Sequence, residues 1–396
     1  MKILGIVAEY NPFHNGHKYH LEKSIETVNP DYTIAVMSGN FVQRGEPALI
    51  NKFIRANMTI DRGIDLVVEL PTYFATSSAE TFAFGAISLL NECNVTHLSF
   101  GSESGDMDEL SKVADLLTNE SDNFKDFLAN NLAKGISFPK ARSLSLKAFI
   151  PSLSNSILEM PNNCLGIEYL KALKKTNSKI EPITITRYAT DYNSLETKHN
   201  ICSASAIREM LKNNSFSNTV LPPSCFDSLI KGFNKGLGPV FLENFNNILI
   251  YKIRSMSLEE LSNIHEVSEG LENRIKDAAN NHNDINEIIE AVKSKRYTLT
   301  RIKRIMINIL LDIKKHVELH PQYIRVLACS KKAKKELLGH IANNSSIPVI
   351  TSLNRFMQNA TEKQLDMINK DILATDIYSL GCPTIQKSNL DWVNKI

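Results

Sequence analysis

The stretch Ile3-Leu4-Gly5-Ile6-Val7-Ala8-Glu9-Tyr10-Asn11-Pro12-Phe13-His14-Asn15-Gly16-His17 governs how the rest of the chain is read. Ile3–Ala8 is apolar throughout, which suits a parallel strand covered on both faces. The run meets an acid at Glu9, so it reads as a buried strand and not as the apolar core of a signal peptide. Pro12 enforces a turn, and Gly16 allows close backbone approach just before a helix begins. The amides of that first helical turn have no intrahelical acceptor, and the helix dipole favours an anion there. His14 and His17 flank the turn and add donors able to follow charge on a phosphate. The rival reading is an ordinary strand–helix turn with two surface histidines. Position favours the ligand site, because open parallel sheets bind ligands outside the carboxyl ends of their strands.

Outward from this segment the same alternation recurs. Short β-rich runs at residues 33–37, 66–70 and 95–100 are separated by helix-length segments at 17–27, 52–62 and 79–91. That pattern predicts an α/β fold, a doubly wound parallel sheet with right-handed crossovers. A further strand at 182–186 follows a helical excursion through about 107–175. Beyond residue 225 apolar residues adopt helical spacing instead. Ile302, Ile305, Met306, Ile309, Leu310 and Ile313 form one stripe, and Ile285, Ile288, Ile289 and Val292 another. Residues 230–345 read as mainly helical, and 347–396 hold short β-like pieces. The organisation expected is a nucleotide-binding catalytic domain over 1–225 and a mainly helical, basic domain over 226–396.

A chain of 396 residues suits two domains rather than one core. With 43% hydrophobic and 22% charged residues it has the balance of a globular protein, and no apolar run is long enough to span a bilayer. Cys93, Cys164, Cys202, Cys225, Cys329 and Cys382 are scattered without a CxxC pair, which argues against a zinc site or a disulfide framework. The expectation is a cytoplasmic protein with no membrane partner and no protein-held metal. The net charge of +2 is unevenly spread: residues 291–340 hold thirteen Lys/Arg and three Asp/Glu, so the remainder sums to −8. A cationic helix face is usually just solvated, but Lys293, Lys295, Arg296, Arg301, Lys303 and Arg304, then Lys331, Lys332, Lys334 and Lys335, form a surface that would reward folded RNA. Tyr297 could stack on a base or anchor the helix start, and the anchor is the favoured reading.

Other candidates carry two readings each. Ser203-Ala204-Ser205-Ala206-Ile207-Arg208 places hydroxyls and a guanidinium at a helix start with Ser205 as N-cap, which would suit phosphate oxygens or a routine capped helix equally. Gly101 follows a strand, Asn162 follows Pro161, and Arg187 ends a strand. These are turn and strand-end residues unless a nucleoside lies against them. Gln43, Arg44, Glu46, Lys52 and Arg55 fall at the same sheet edge and could position a small substrate or form a solvated face.

The longer pattern resembles a known family. Glu9-Tyr10-Asn11-Pro12-Phe13-His14-Asn15-Gly16-His17, Met37-Ser38-Gly39-Asn40-Phe41, Arg44-Gly45-Glu46-Pro47-Ala48, Phe100-Gly101-Ser102-Glu103, Pro161-Asn162-Asn163 and Ser203–Arg208 together look like the tRNA(Met) cytidine acetate ligases of the HIGH-type nucleotidyltransferase superfamily. Glu269-Gly270-Leu271-Glu272-Asn273-Arg274 and Lys295-Arg296-Tyr297-Thr298 extend the likeness to about residue 340. The resemblance implies a nucleotidyltransferase-like domain that activates acetate with ATP and Mg2+, then acetylates the wobble cytidine of elongator tRNA(Met). It implies catalytic roles for His14, His17, Ser205 and Arg208. It implies nucleotide contacts along Val7, Ala8, Glu9, Tyr10, Asn11, Pro12, Phe13, His14, Asn15, Gly16, His17, Lys18, Tyr19 and His20, with Gly101, Asn162 and Arg187 at the adenosine end. Two other functions fit parts of the pattern: adenylylation of a small phosphorylated metabolite, and RNA binding on a catalytically silent nucleotidyltransferase scaffold. The long basic second half argues against the first, and the intact histidines, Gly16 and Arg208 against the second.

Overall fold

The computed structural model describes residues 1–393 apart from 61, 137, 155–156, 188–200, 295 and 316–319. Among the described residues nine strands form: β1 (Ile3–Ala8), β2 (Tyr32–Ser38), β3 (Phe41–Val42), β4 (Glu46–Pro47), β5 (Leu66–Leu70), β6 (His97–Ser102), β7 (Glu181–Thr186), β8 (Ile324–Cys329) and β9 (Val349–Ile350). Seven of them make one sheet in the order β7-β6-β1-β2-β5-β8-β9, and β3 and β4 pair as a separate hairpin. The chain runs from β1 through β2 to β5 on one side, then crosses back to lay β6 and β7 on the other, all parallel. The crossing makes the gap between the carboxyl ends of β1 and β6 the switch point of the sheet, where ligands of doubly wound folds bind.

Alternation along each strand decides which helices cover which face. Ile34 and Val36 point into one apolar cluster, Ala35 and Met37 into the other. The second face is covered by helices Asn15–Val28, Lys52–Ile60, Ala204–Lys212 and Pro223–Asn234. The first is covered by Ala79–Glu92, Met107–Thr118 and Pro161–Lys175, and also by helices of the second half up to Glu362–Leu380. One continuous apolar cluster therefore runs from Ile3 to Cys382.

Residues 230–345 are mainly helical as expected, with helices up to Leu311 and again over Lys331–Lys335 and Leu337–Asn344, but between them β8 pairs antiparallel with β5 and lies between it and β9. The β8 residues Ile324-Arg325-Val326-Leu327-Ala328-Cys329 are buried nearly throughout, and so short an apolar run carries no period that separates strand from helix. The boundary expected at residue 225 is thus crossed by strand pairing and by a shared core. The tail is not a set of β-like pieces: beyond the short β9 it holds the 19-residue helix Glu362–Leu380. It is also bound electrostatically. Lys52 Nζ lies 2.7 Å from Glu69 and 2.9 Å from Asp391, and Arg325 lies 2.7 Å from Asp391 and 3.5 Å from Glu69, all four buried. Two cations and two anions out of water are tolerable only because each faces opposite charge.

Candidate active site

The turn after β1 is built around His14. It is the N-cap of helix Asn15–Val28, and its Nδ1 accepts from the Gly16 and His17 amides at 3.0 and 3.4 Å. The His14 amide in turn donates to His17 Nδ1 at 3.3 Å, so the two side chains satisfy the helix start reciprocally. The rings stack with centroids 3.7 Å apart. Gly16 is what admits this geometry, since a Cβ there would lie 2.9 Å from His14 Cε1. Because both Nδ1 atoms accept, each neutral imidazole carries its proton on Nε2 and is a donor on that side. Burial, reinforced by the Arg187 guanidinium, lowers the His14 pKa to about 3. Burial likewise holds His17 well below its usual range, with His14, Arg187 and His20 adding to the effect.

These rings open on a cavity of about 560 Å³ at the switch point. Its walls include Val7, Ala8, Glu9, Tyr10 and Asn11 from the end of β1, Phe100 and Gly101 from β6, and Arg187 just past β7. Gly101 matters for its missing side chain: a Cβ would sit 3.1 Å from Arg187 Cγ. Asn162 lines the cavity from the start of helix Pro161–Lys175. Its Nδ2 donates to Glu103 at 2.6 Å, while Asn163 Oδ1 accepts from the Glu103 and Ser104 amides, which clamps the loop after β6 to that helix. Ser203, Ala204 and Ser205 close the opposite side with Gln43 and Arg44. Ser203, not Ser205, is the N-cap, accepting from the Ala206 amide at 3.1 Å. The shift leaves the Ser205 hydroxyl in the first turn, where it accepts from Arg44 at 3.2 Å.

The remaining candidates divide. His20, on the inner side of its helix, lines the cavity and bonds Ser99 Oγ at 3.2 Å. Pro12, Phe13, Asn15, Lys18 and Tyr19 are outside the lining. Pro12 and Phe13 are buried under the turn, Asn15 donates to the Thr219 carbonyl, and exposed Lys18 pairs with Glu22. Arg208 stands one layer behind the cavity, with Nη1 donating to Asn11 Oδ1 at 3.2 Å and Nε 3.2 Å from Glu46. Lys52 and Arg55 do not face a substrate at all: Lys52 is in the buried charge cluster, and Arg55 donates to the carbonyls of Glu9, Ser38, Gly39 and Ile50. Phe82, Tyr169 and Thr300 also line the cavity, from helices whose residue pattern carries no sign of a site.

The first cationic cluster mostly turns inward or is paired, whereas Lys331, Lys332, Lys334 and Lys335 of the second are exposed. Arg304 is buried against Glu266 at 3.0 Å, Lys303 reaches Glu46 at 2.8 Å, and Arg301 donates to the Glu266 carbonyl and Ser268. Arg296 pairs with Glu269, and Tyr297 is a buried anchor. Lys295 lies outside the described residues. The start of helix Leu299–Leu311 instead packs on the β3–β4 hairpin at Gly45, whose φ of +74° and lack of Cβ are both needed, since a Cβ would fall 2.3 Å from the Arg304 nitrogen.

A family model described as HIGH Nucleotidyl Transferase matches residues 1–391. The chain is 45% identical over 403 residues to the tRNA(Met) cytidine acetate ligase of Thermoanaerobacter sp. (strain X514), covering 100% of this chain and 99% of the relative. It is 41% identical over 413 residues to the protein of that name from Acetivibrio thermocellus, with coverage of 100% and 99%. The chain belongs to the tRNA(Met) cytidine acetate ligase family. A solved structure of Thermotoga maritima TmcAL bound with alpha-thio ATP superposes on it with a TM-score of 0.90 at 37% identity, over 98% of this chain and 97% of that one. These matches extend through the tail beyond residue 340. No described helix is long and apolar enough to cross a membrane.

Proposed function

We propose that this chain is an ATP-dependent tRNA(Met) cytidine acetate ligase, with the cavity between β1 and β6 as its nucleotide site. The observation that carries the reading is the pair His14 and His17: two neutral Nε2–H donors fixed at a helix N-terminus beside a cavity of nucleotide size. An acetate oxygen attacks the α-phosphorus, the bond to the bridging oxygen of pyrophosphate breaks, and acetyl-adenylate forms. Acetate is already an anion, so the step needs oriented donors for the phosphoryl oxygens more than it needs a base. The cytidine N4 amine then attacks the acetyl carbon, loses a proton, and AMP leaves.

Gly101, Asn162 and Arg187 border the adenosine end in this reading, and Ser203 and Ser205 the pyrophosphate end. Arg208 acts through Asn11 and Glu46, as a positioning residue behind the cavity wall. Magnesium fits poorly as a protein-held ion. No group of three acidic, histidine or cysteine side chains gathers among the described residues, and Glu9 and Glu46 already serve the Gln43 amide and the Arg208–Lys303 pair. The test is pyrophosphate release from ATP and acetate with and without elongator tRNA(Met), together with recovery of acetyl-AMP when tRNA is omitted. Some propionate should be used, since one methylene in a small pocket discriminates by only about 1–3 kcal/mol. Acetylation supported by acetyl-CoA but not by acetate with ATP would overturn the assignment.

A further inference from the structure

Outside residues 291–340 a second cationic run stands out. Residues 127–158 contain Lys134, Lys140, Arg142 and Lys147 and no Asp or Glu. They cover most of a helical hairpin formed by Asp122–Ala133 and Phe138–Phe149. Lys134 and Lys140 are exposed, and neither is in an ion pair with another described residue. Arg142 lies 3.7 Å from Glu168 on helix Pro161–Lys175, the helix that brings Pro161 and Asn162 to the nucleotide cavity.

The same hairpin exposes large apolar groups. Phe127 is 41% exposed, Leu132 37%, Leu144 39% and Phe149 36%, with Met160 at 41% where the chain enters the cavity helix. The rings are not loose: Phe149 packs on buried Phe124 at 5.4 Å and on Phe127 at 6.3 Å, both edge-on. A fixed half-exposed aromatic pair on a hairpin that also carries exposed lysines matches single-stranded RNA, which offers phosphates to the lysines and unstacked bases to the rings.

We propose that this hairpin is an RNA-docking surface that grips the backbone and an unpaired base of the substrate's loop at the edge of the active site. The inference rests on the ligase reading above. It adds to the 291–340 window, where Arg296, Lys303 and Arg304 are held by acids, a second RNA-facing surface on which Lys134 and Lys140 face solvent.

The test compares the full-length parent with Lys134→Glu/Lys140→Glu, with Lys134→Arg/Lys140→Arg and with Phe127→Ser, all at exposed positions. Affinity for elongator tRNA(Met) is measured across a salt series, with acetyl-AMP formation without tRNA and the solution mass measured in parallel. The charge-reversal variant should bind about tenfold more weakly and show a log-affinity against log-salt slope shallower by roughly 1.4–1.8, since each phosphate neutralised by a lysine contributes about 0.7–0.9 to that slope. The arginine variant should bind as the parent does. Phe127→Ser should lose roughly fivefold or more in affinity with an unchanged salt slope, because stacking is not a counterion effect. Acetyl-AMP formation should stay at the parental rate in all three. Unchanged affinity and slope in both the charge-reversal and Phe127→Ser variants would overturn the proposal, as would a parental dimer that Phe127→Ser dissociates, since the face would then serve self-association. A parent that fails to acetylate tRNA with acetate and ATP defeats the ligase reading itself. An active parent with unaffected variants defeats only the hairpin.

Discussion

Lys303 Nζ lies 2.8 Å from Glu46 Oε1, joining a helix of the second half to the hairpin at the rim of the nucleotide cavity. The other carboxylate oxygen of Glu46 faces Arg208 Nε at 3.2 Å, so one side chain ties three segments. Burial alone would raise its pKa, but Arg208, Lys303 and Arg44 outweigh burial and lower it below the ordinary 4.5. A carboxylate with a depressed folded pKa stabilises the fold above its unfolded pKa and loses that contribution as pH falls through the folded value. Glu46→Gln should therefore cost about 1–3 kcal/mol at pH 7 in urea denaturation. The difference from the parent should shrink below about pH 4.5. A difference independent of pH would show that the charge of Glu46 contributes nothing.

His17→Ala removes a donor from the cavity and leaves His14 to cap the helix. Acetate-dependent pyrophosphate release should fall by roughly two to three orders of magnitude, the usual effect of losing one donor to a developing oxyanion. His14→Ala should show the same kinetic loss and also about 0.5–2 kcal/mol less stability, because its ring caps the helix. Parental turnover in both variants would place the phosphates elsewhere.

The pH behaviour of the imidazoles follows from their burial. His14 titrates at about 3 and His20 at about 4 in the folded chain, against an ordinary 6.5. Each is neutral in the fold at pH 5 but protonates on unfolding, so their contribution is complete above about pH 6.5 and is lost as pH falls towards the folded values. kcat/KM for ATP should show no break between pH 5.5 and 8 from these groups. Ring-proton NMR shifts that move with a midpoint near 6.5 would contradict the buried, neutral pair.

Arg304 looks in sequence like a solvent-facing charge on a basic helix, and the structure makes it a buried partner of Glu266. Arg304→Glu should destabilise the chain by about 3–5 kcal/mol, the scale for breaking a buried pair. Loss of RNA binding in that variant would therefore report unfolding; circular dichroism melts distinguish the two. A variant that melts with the parent yet binds RNA weakly would restore the exposed-face reading.

Most of the α/β half was legible because its signals are local. The apolar runs at β1 and β5 coincide with the observed strands, and the turn at Pro12 to His17 announces itself by residue type. The assembly of the site was legible only in part. That Asn162, Arg187 and Gly101 line one cavity with His14 depends on how β6, β7 and a helix converge, which no spacing encodes. Thr300 and Tyr169 carried no signal, since a helix residue facing a cavity looks like one facing the core. Arg304 misled for the converse reason: a guanidinium is read as exposed unless its acid is known, and Glu266 is far away in sequence.

The antiparallel strand beside β5 sets the order in which the molecule can be finished. β5 is complete once residue 70 has left the ribosome, but the strand that covers its open side spans residues 324–329. Asp391, a partner of Lys52, emerges later still. Throughout that interval the nascent chain carries an unpaired strand edge, the feature that invites intermolecular pairing. Synthesis must therefore pass Asp391 before the buried charge cluster beside β5 is complete.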